Sequence, residues 1–206
     1  VTIIHLATGN AHKAREMAAF AGASAGPAGH PLVEIVMPPR MPAVVEDTGT
    51  FAGNARKKAA ALKAVLPPEA WVLADDSGLC VDALDGAPGV ESAYYAGAAG
   101  DSAANLARLV DVMRPVPEGK RGAYFVCVLV LLGPDGREQT QEGRCAGRLR
   151  REPAGGGGFG YDPLFIPDGF ARTYAELAEA EKNRISHRGR AWQALAEWMR
   201  RAGPDR

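Results

Sequence analysis

A short apolar run that ends in two adjacent carboxylates constrains this chain more than any other stretch. Trp71-Val72-Leu73-Ala74 has the composition of a buried strand, and Asp75-Asp76-Ser77-Gly78 follows it without a spacer. A buried carboxylate is strongly unfavourable unless it is paired with a cation or bound to a metal. The pattern therefore predicts a strand that stops at the acids, with the backbone turning there, and carboxylates that bind a metal or act as a general base. A plain polar turn fits the same four residues. Side chains alternate along a strand, so Asp75 and Asp76 are expected to point to opposite faces and to do different work. The block runs on through a turn-rich segment, 82–89, and closes on Tyr94-Tyr95-Ala96-Gly97.

The rest of the composition narrows the class. With 206 residues the chain is long enough for one large domain or a closely integrated pair of lobes. Lys+Arg and Asp+Glu both number 24, so the formal net charge is zero. Proteins that hold nucleic acid through its phosphates carry a basic excess, so the balance points away from that class and toward local recognition of a small anion. The three cysteines, Cys80, Cys127 and Cys145, are far apart and lack metal-ligand spacing. They read as buried thiols of a reducing compartment, with no zinc site. The longest apolar run, 123–132, is too short to span a bilayer as a helix and reads as a central strand. The first six residues read as a strand rather than a signal peptide, so the expected compartment is the cytoplasm.

In chain order, a strand at 2–7 meets a turn, Thr8-Gly9-Asn10, and a helix at 11–20. That arrangement presents backbone N–H groups at a positive helix start, which suits an anion, and Lys13 adds a charge in the first turn. The spacing is not that of a Walker A loop. Residues 22–31 read as a surface loop with His30 solvated, and 32–37 as a strand. Val44-Val45-Glu46-Asp47 repeats the pattern of an apolar pair running into acids. Asn54 is expected to cap a helix at 55–66, which places Lys58 one turn in, within reach of the acids, while Arg56, Lys57 and Lys63 read as a solvated face. A helix at 103–113, capped by Asp101 or Ser102, carries the apolar stripe Leu106, Leu109, Val110 and Met113. A turn at 133–136 should return 137–149 as an antiparallel strand. Four glycines, 155–158, precede Phe159-Gly160-Tyr161-Asp162, a pattern expected of a loop that closes on a flat ligand. Thr173 is expected to cap a helix at 174–181. The cations of Lys182-Asn183-Arg184-Ile185-Ser186-His187-Arg188 then precede a last helix, 187–201, with Ala191, Leu195 and Trp198 facing the core beside Trp192 and Met199. Cations at a helix start oppose its dipole, which points to an anionic or acceptor-rich ligand, a solvated basic edge being the alternative.

Five of these blocks, LATGNAHKAREM (6–17), VEDTGTFAGNARKKA (45–59), ADDSGLCVDALDGAPGVESAYYAG (74–97), GGGFGYDPLF (156–165) and EKNRISHRGRA (181–191), together resemble the inosine/xanthosine triphosphate pyrophosphatase family. They occur in the family's order and reach from near the N-terminus into the last helix. The resemblance implies an α/β fold of two lobes around a long, mixed, twisted sheet with flanking helices and a nucleotide cleft between the lobes, residues 1–206 forming a single domain. It implies hydrolysis of ITP, dITP and XTP to the monophosphate and pyrophosphate with Mg²⁺, in a homodimer that engages neither nucleic acid nor membrane. Carried over by position, Thr8, Gly9, Asn10, Ala11, His12 and Lys13 hold the triphosphate, His12 only as a member of the loop. Asp76 is the catalytic base and a metal ligand, Glu46 the second metal carboxylate with Asp47 beside it, and Lys58 neutralises phosphate. Ser77 contacts substrate. Phe159, Gly160, Tyr161 and Asp162 line the base and ribose site, Phe159 by stacking, and Lys182, His187 and Arg188 meet the base edge.

Two positions depart from the family pattern. Between Gly49 and Phe51 the lone Thr50 stands where the family has two residues, and Gly53 stands where the family has an acid before Asn-Ala. Both bear on where Lys58 sits. The rival readings are a pyrophosphatase for pyrimidine or methylated nucleotides and a non-catalytic nucleotide sensor. A sensor has no need of a water-activating acid at 76, and the FGYD and SHR segments favour purines.

Overall fold

The structure, a computed structural model, describes residues 1–26, 30–97 and 100–202. Its strands are β1 (Thr2–Leu6), β2 (Val33–Val36), β3 (Trp71–Val81), β4 (Gly122–Leu132), β5 (Glu138–Leu149) and β6 (Phe165–Pro167). Its α-helices are α1 (Ala11–Ala23), α2 (Phe51–Lys63), α3 (Ser102–Met113), α4 (Glu179–Ile185) and α5 (His187–Ala202). The strands form one sheet in the order β2-β1-β3-β4-β5-β6. β1 pairs in parallel with β2 and with β3, and β5 pairs antiparallel with β6, so the sheet is mixed. Parallel neighbours need long crossovers, which α1 and α2 supply. The link from β4 to β5 is closed by the Gly133 N–H donating to the Arg137 carbonyl at 2.8 Å, a connection short enough only for antiparallel neighbours. No helix among the described residues is long and apolar enough to cross a membrane.

Several elements depart from what the sequence suggests. β3 does not stop at the acids. It is a single 11-residue strand that carries Asp75 and Asp76 through its middle, both buried. Carboxylates are tolerated there because each faces a cation, so no turn is needed to bring them to water. α2 starts at Phe51, and its cap is Thr50, whose hydroxyl accepts from the Gly53 N–H at 3.1 Å. Asn54 is therefore inside the helix, and Lys58 lies further along it than expected. α1 extends past Gly22 to Ala23, and Ala25 then forms a bridge with Pro31. The expected 22–31 loop is thus partly helix and partly pinned, with 27–29 outside the described residues. The helix expected at 174–181 is two elements, a 3₁₀ turn, Tyr174–Glu176, with a capping box from Thr173 and Glu176, and then α4. Lys182 and Arg184 consequently lie in the last turn of a helix, where the dipole favours cations, rather than ahead of one.

The chain divides into two compact units. Unit 1 comprises Val1–Asp76, Cys127–Gly143 and Arg188–Arg206, and unit 2 comprises Ser77–Val126 and Arg144–His187. In unit 1, Met17 and Phe20 of α1 and Ala191, Trp192, Leu195 and Met199 of α5 pack on Ile4, Leu6, Trp71, Leu73, Leu129 and Leu131. The α5 stripe is the expected one, with Trp198 only half-buried at its margin. In unit 2, Leu109 and Met113 of α3 pack with Leu79, Val81, Phe125, Leu149, Phe165 and Tyr174, and Leu106 and Val110 flank them. Cys80, Cys127 and Cys145 are free thiols and buried.

Close backbone approach fixes one glycine in unit 2. A Cβ built on Gly147 would run into the Ile166 carbonyl oxygen of the neighbouring strand and lie 2.8 Å from the Phe165 ring. Gly147→Ala is expected to destabilise the protein by about 1–3 kcal/mol, the usual range for overpacking. A lowered Tm in a thermal scan checks this, and an unchanged Tm contradicts it.

Candidate functional site

Alternation along β3 sends Asp75 and Asp76 to opposite faces, as expected. Asp76 faces α2 and the segment before it. Lys58 Nζ lies 2.8 Å from Asp76 Oδ1 and 2.8 Å from Glu46 Oε2, so one ammonium joins two carboxylates. Asn54, buried on the same helix, directs its amide nitrogen at Asp76 Oδ2, 3.4 Å away. Burial pushes the Asp76 carboxyl up to about 6, against the pull of Lys58 and with the help of a proton shared with Glu46. Glu46 moves the other way: burial opposes its charge, but Lys58 outweighs burial and holds it low. Lys58 stays protonated, since Asp76 and Asp75 more than offset its own burial. Asp47, the neighbour of Glu46, is not part of this group. It is exposed and pairs with Lys57 at 2.5 Å.

Asp75 faces α1 and α5. Lys13 Nζ lies 3.0 Å from Asp75 Oδ1, and the Arg188 Nε and one terminal nitrogen each donate to Asp75 Oδ2 at 3.2 Å. The other terminal nitrogen of Arg188 donates to Glu16. Arg188 is only 1% exposed, so its charge is matched entirely inside the protein. Burial works against the Asp75 charge, but Lys13 and Arg188 overcome it and hold the carboxyl far below the usual range.

The start of α1 is organised by its own side chains. Asn10 is the N-cap, and its Oδ1 accepts from the backbone N–H groups of His12 (2.9 Å) and Lys13 (3.2 Å). The Thr8 hydroxyl accepts from the Asn10 N–H at 3.1 Å. The remaining candidates fall in unit 2. Asp162 Oδ2 accepts from the Phe159 N–H at 2.8 Å and from Lys182 Nζ at 2.7 Å, and Lys182 Nζ stands 5.0 Å from the centre of the Phe159 ring. Gly158 permits this closure. Its φ is +69°, and an added Cβ would lie 2.9 Å from Asp162 Cγ. Tyr161 donates its hydroxyl to the Ser92 carbonyl at 2.8 Å, and the His187 ring stacks on Phe125 at 4.7 Å and 11°. Ser77, one residue past Asp76, is half-buried.

Three participants were not singled out from the sequence: Glu16, Thr48 and the inward-facing role of Asn54. The signal was positional. Glu16 lies on the buried stripe of α1 with Met17, Phe20 and Ala21, and Asn54 on that of α2 with Ala55, Ala59 and Leu62. A polar side chain on a buried stripe demands a partner. Gly53 is closely approached by its neighbours. A Cβ on Gly53 would lie 2.7 Å from Thr48 Cβ and 2.8 Å from Thr50 Oγ1, so the side chains of Thr48 and Thr50 occupy the space that a longer side chain at 53 would use.

Asp75 is the structural member of the acid pair. Asp75→Asn leaves Arg188 and Lys13 short of a buried anion and is expected to cost about 3–5 kcal/mol, the range for breaking a buried pair. Asp76→Asn should cost much less, because burial already disfavours the Asp76 charge. Denaturant titration of both variants checks this, and equal midpoints contradict it.

Comparison with known proteins gives the lineage. Residues 4–198 match the model of the Ham1 family. A dITP/XTP pyrophosphatase of Opitutus terrae is 61% identical over 97% of this chain and 99% of its own length, and one from Streptomyces coelicolor is 48% identical over 97% and 98%. Among solved structures, a HAM1 protein from Coxiella burnetii superposes with a TM-score of 0.83 at 34% identity, covering 98% of this chain and 100% of its own. A nucleoside-triphosphatase, dITP/XTP pyrophosphatase, from Mycobacterium abscessus gives 0.72 at 41%, covering 94% and 98%. With both sequence and fold matched along nearly its whole length, this chain belongs to the Ham1 family.

Proposed function

We propose that the protein hydrolyses deaminated purine nucleoside triphosphates, ITP, dITP and XTP, to the monophosphate and pyrophosphate, as a single catalytic domain. The observation that carries this reading is Asp76, a buried carboxylate kept close to its titration point and held on one oxygen by Lys58. Water attacking phosphorus needs a group to take its proton, and a carboxylate with a raised proton affinity near neutral pH is suited to that. Lys58 holds one oxygen of Asp76 and places positive charge beside it. Lys13 and the Thr8, Gly9, Asn10, Ala11 and His12 segment are assigned to the triphosphate, and Ser77 to a contact with the substrate.

The two carboxylates Glu46 and Asp76 fit a hard divalent cation. Each lies 2.8 Å from the same Lys58 ammonium, and the ligand atoms they offer are all oxygen. We assign Glu46 and Asp76 as the residues that would hold Mg²⁺. When bound, the ion would supply Lewis-acid stabilisation of the charge that builds on the phosphate oxygens.

In unit 2, Phe159, Gly160, Tyr161 and Asp162 are assigned to the base and ribose. Phe159 offers its ring for stacking, and Asp162 fixes the loop by gripping the Phe159 N–H and Lys182. Lys182 and Arg188 are obligate donors, and His187 can donate from either ring nitrogen. Donors suit the 6-carbonyl of hypoxanthine and xanthine and oppose the 6-amino group of adenine. Arg188 is tied to Asp75 and Glu16, and Lys182 to Asp162, so both cations are held in place for this contact by buried acids. The expected assembly is a homodimer in the cytoplasm, with no nucleic-acid or membrane partner.

The test is release of pyrophosphate from ITP and ATP with Mg²⁺. ITP is expected to be strongly preferred, and a polar mismatch in a dry site can give discrimination of roughly 10⁴. Equal kcat/KM for the two nucleotides would overturn the substrate assignment. Asp76→Asn is expected to lose about 10²- to 10⁴-fold in kcat, the span of general-base contributions. A folded, fully active Asp76→Asn protein would remove Asp76 from the chemistry. Exhaustive EDTA treatment should abolish turnover and added Mg²⁺ restore it, whereas full activity in metal-free buffer would reject the metal assignment.

A further inference from the structure

We infer that Asn54 is a positioning residue for Asp76, set in place by Thr48, and that it acts on the chemical step rather than on nucleotide binding. The inference rests on the reading of Asp76 as the base and adds to it a residue that the sequence presents only as a helix cap. Asn54 is 1% exposed, well inside α2, where asparagine has no intrinsic advantage over alanine. Its two polar ends are oriented without ambiguity. Oδ1 accepts from the Thr48 backbone N–H at 3.2 Å, a group that can only donate, and from the Thr48 hydroxyl at 2.7 Å. The amide nitrogen is thereby turned to Asp76 Oδ2 at 3.4 Å, while Lys58 holds Oδ1 at 2.8 Å. Lys58 alone leaves the carboxylate free to pivot about one oxygen. A donor at the second oxygen removes that freedom and leaves Asp76 with one plane.

Thr48 can serve as the clamp because Gly53 leaves room for its side chain. Its hydroxyl oxygen also lies 3.1 Å from the Thr50 carbonyl oxygen, within reach of the same proton, and its side chain fills the space over Gly53, which has none. The short loop, the glycine and the buried asparagine are thus one device that ends at the carboxylate.

The test is a double-mutant cycle with ITP as substrate. Asn54→Ala is expected to lower kcat by roughly 10- to 50-fold with KM within about twofold, as for a lost hydrogen bond to a charged, positioned group. In the Asp76→Asn background the same change is expected to lower the residual rate by less than about twofold, because the positioned group is gone. Thr48→Val, on an exposed residue remote from Asp76 in contact terms, should lower kcat by about two- to fivefold and lose that effect in the same background. An equal loss in both backgrounds, or a rise in KM with kcat intact, would show a merely structural or binding role and overturn the inference. If Asn54→Ala fails to fold, Thr48→Val decides, and an unchanged kcat there overturns it. An active Asp76→Asn protein would instead defeat the base assignment itself. Normal turnover by Asn54→Ala beside an inactive Asp76→Asn would defeat only the role given to Asn54.

Discussion

Two adjacent carboxylates in the middle of a buried strand are the constraint on which unit 1 depends. Neither Asp75 nor Asp76 can be ionised there without a cation at contact distance, and strand alternation forbids one cation from serving both equally. The helices on either side of β3 must each deliver a basic residue. α1 supplies Lys13 and α5 supplies Arg188 to the Asp75 face, and α2 supplies Lys58 to the Asp76 face. The packing of these helices is apolar, and the same rotation that buries their apolar faces brings their basic residues to the acids. Arg188 shows the coupling most directly. Its side chain is fully enclosed, and the turn that holds it begins the same helix whose Ala191, Trp192 and Leu195 face the core of unit 1.

Much of this was legible in the sequence because it rests on periodicity. The alternation of Asp75 and Asp76, the stripe of α3, the inward face of α5 and the hairpin after β4 all follow from side-chain spacing. What was not legible depended on pairing between distant residues. Asp75-Asp76-Ser77-Gly78 looks like a turn because four polar or small residues ordinarily go to water. Lys13, Lys58 and Arg188, all distant in sequence, make a strand the better solution. Asn54 looks like a cap for the related reason that asparagine is a poor helix former. The actual cap, Thr50, was available at the right distance from Gly53, but a buried partner for Asn54 could not be seen. The split between the 3₁₀ turn at Tyr174–Glu176 and α4 was hidden by good helix formers on both sides, because the turn is started by its capping box and stops where the backbone of Leu177 becomes extended.

The glycine-rich loop of unit 2 is governed by the same rule. A run of four glycines reads as freedom, yet Asp162 holds the segment that follows through the Phe159 N–H and Lys182. Gly158 is there to let the carboxylate come close, and Gly155 sits against the Ala175 backbone for a similar reason. Here too a buried acid and a buried lysine fix a piece of backbone that propensity alone leaves open. Lys182 is then placed over the Phe159 ring, so the aromatic face and the cation come as one unit.

The opposite behaviour of the two aspartates follows from the cations each one touches. On the Asp75 face, Asp75 is in contact with both Lys13 and Arg188. On the Asp76 face, Asp76 shares the Lys58 ammonium with Glu46, and Lys13 acts on both acids only from a distance. Burial penalises both aspartates, so the difference lies in the partners. Asp75 is fixed as an anion, while Asp76, which shares its contact cation with a second acid, keeps a raised affinity for a proton. Two adjacent buried aspartates thus differ because strand alternation hands one to α1 and α5 and the other to α2.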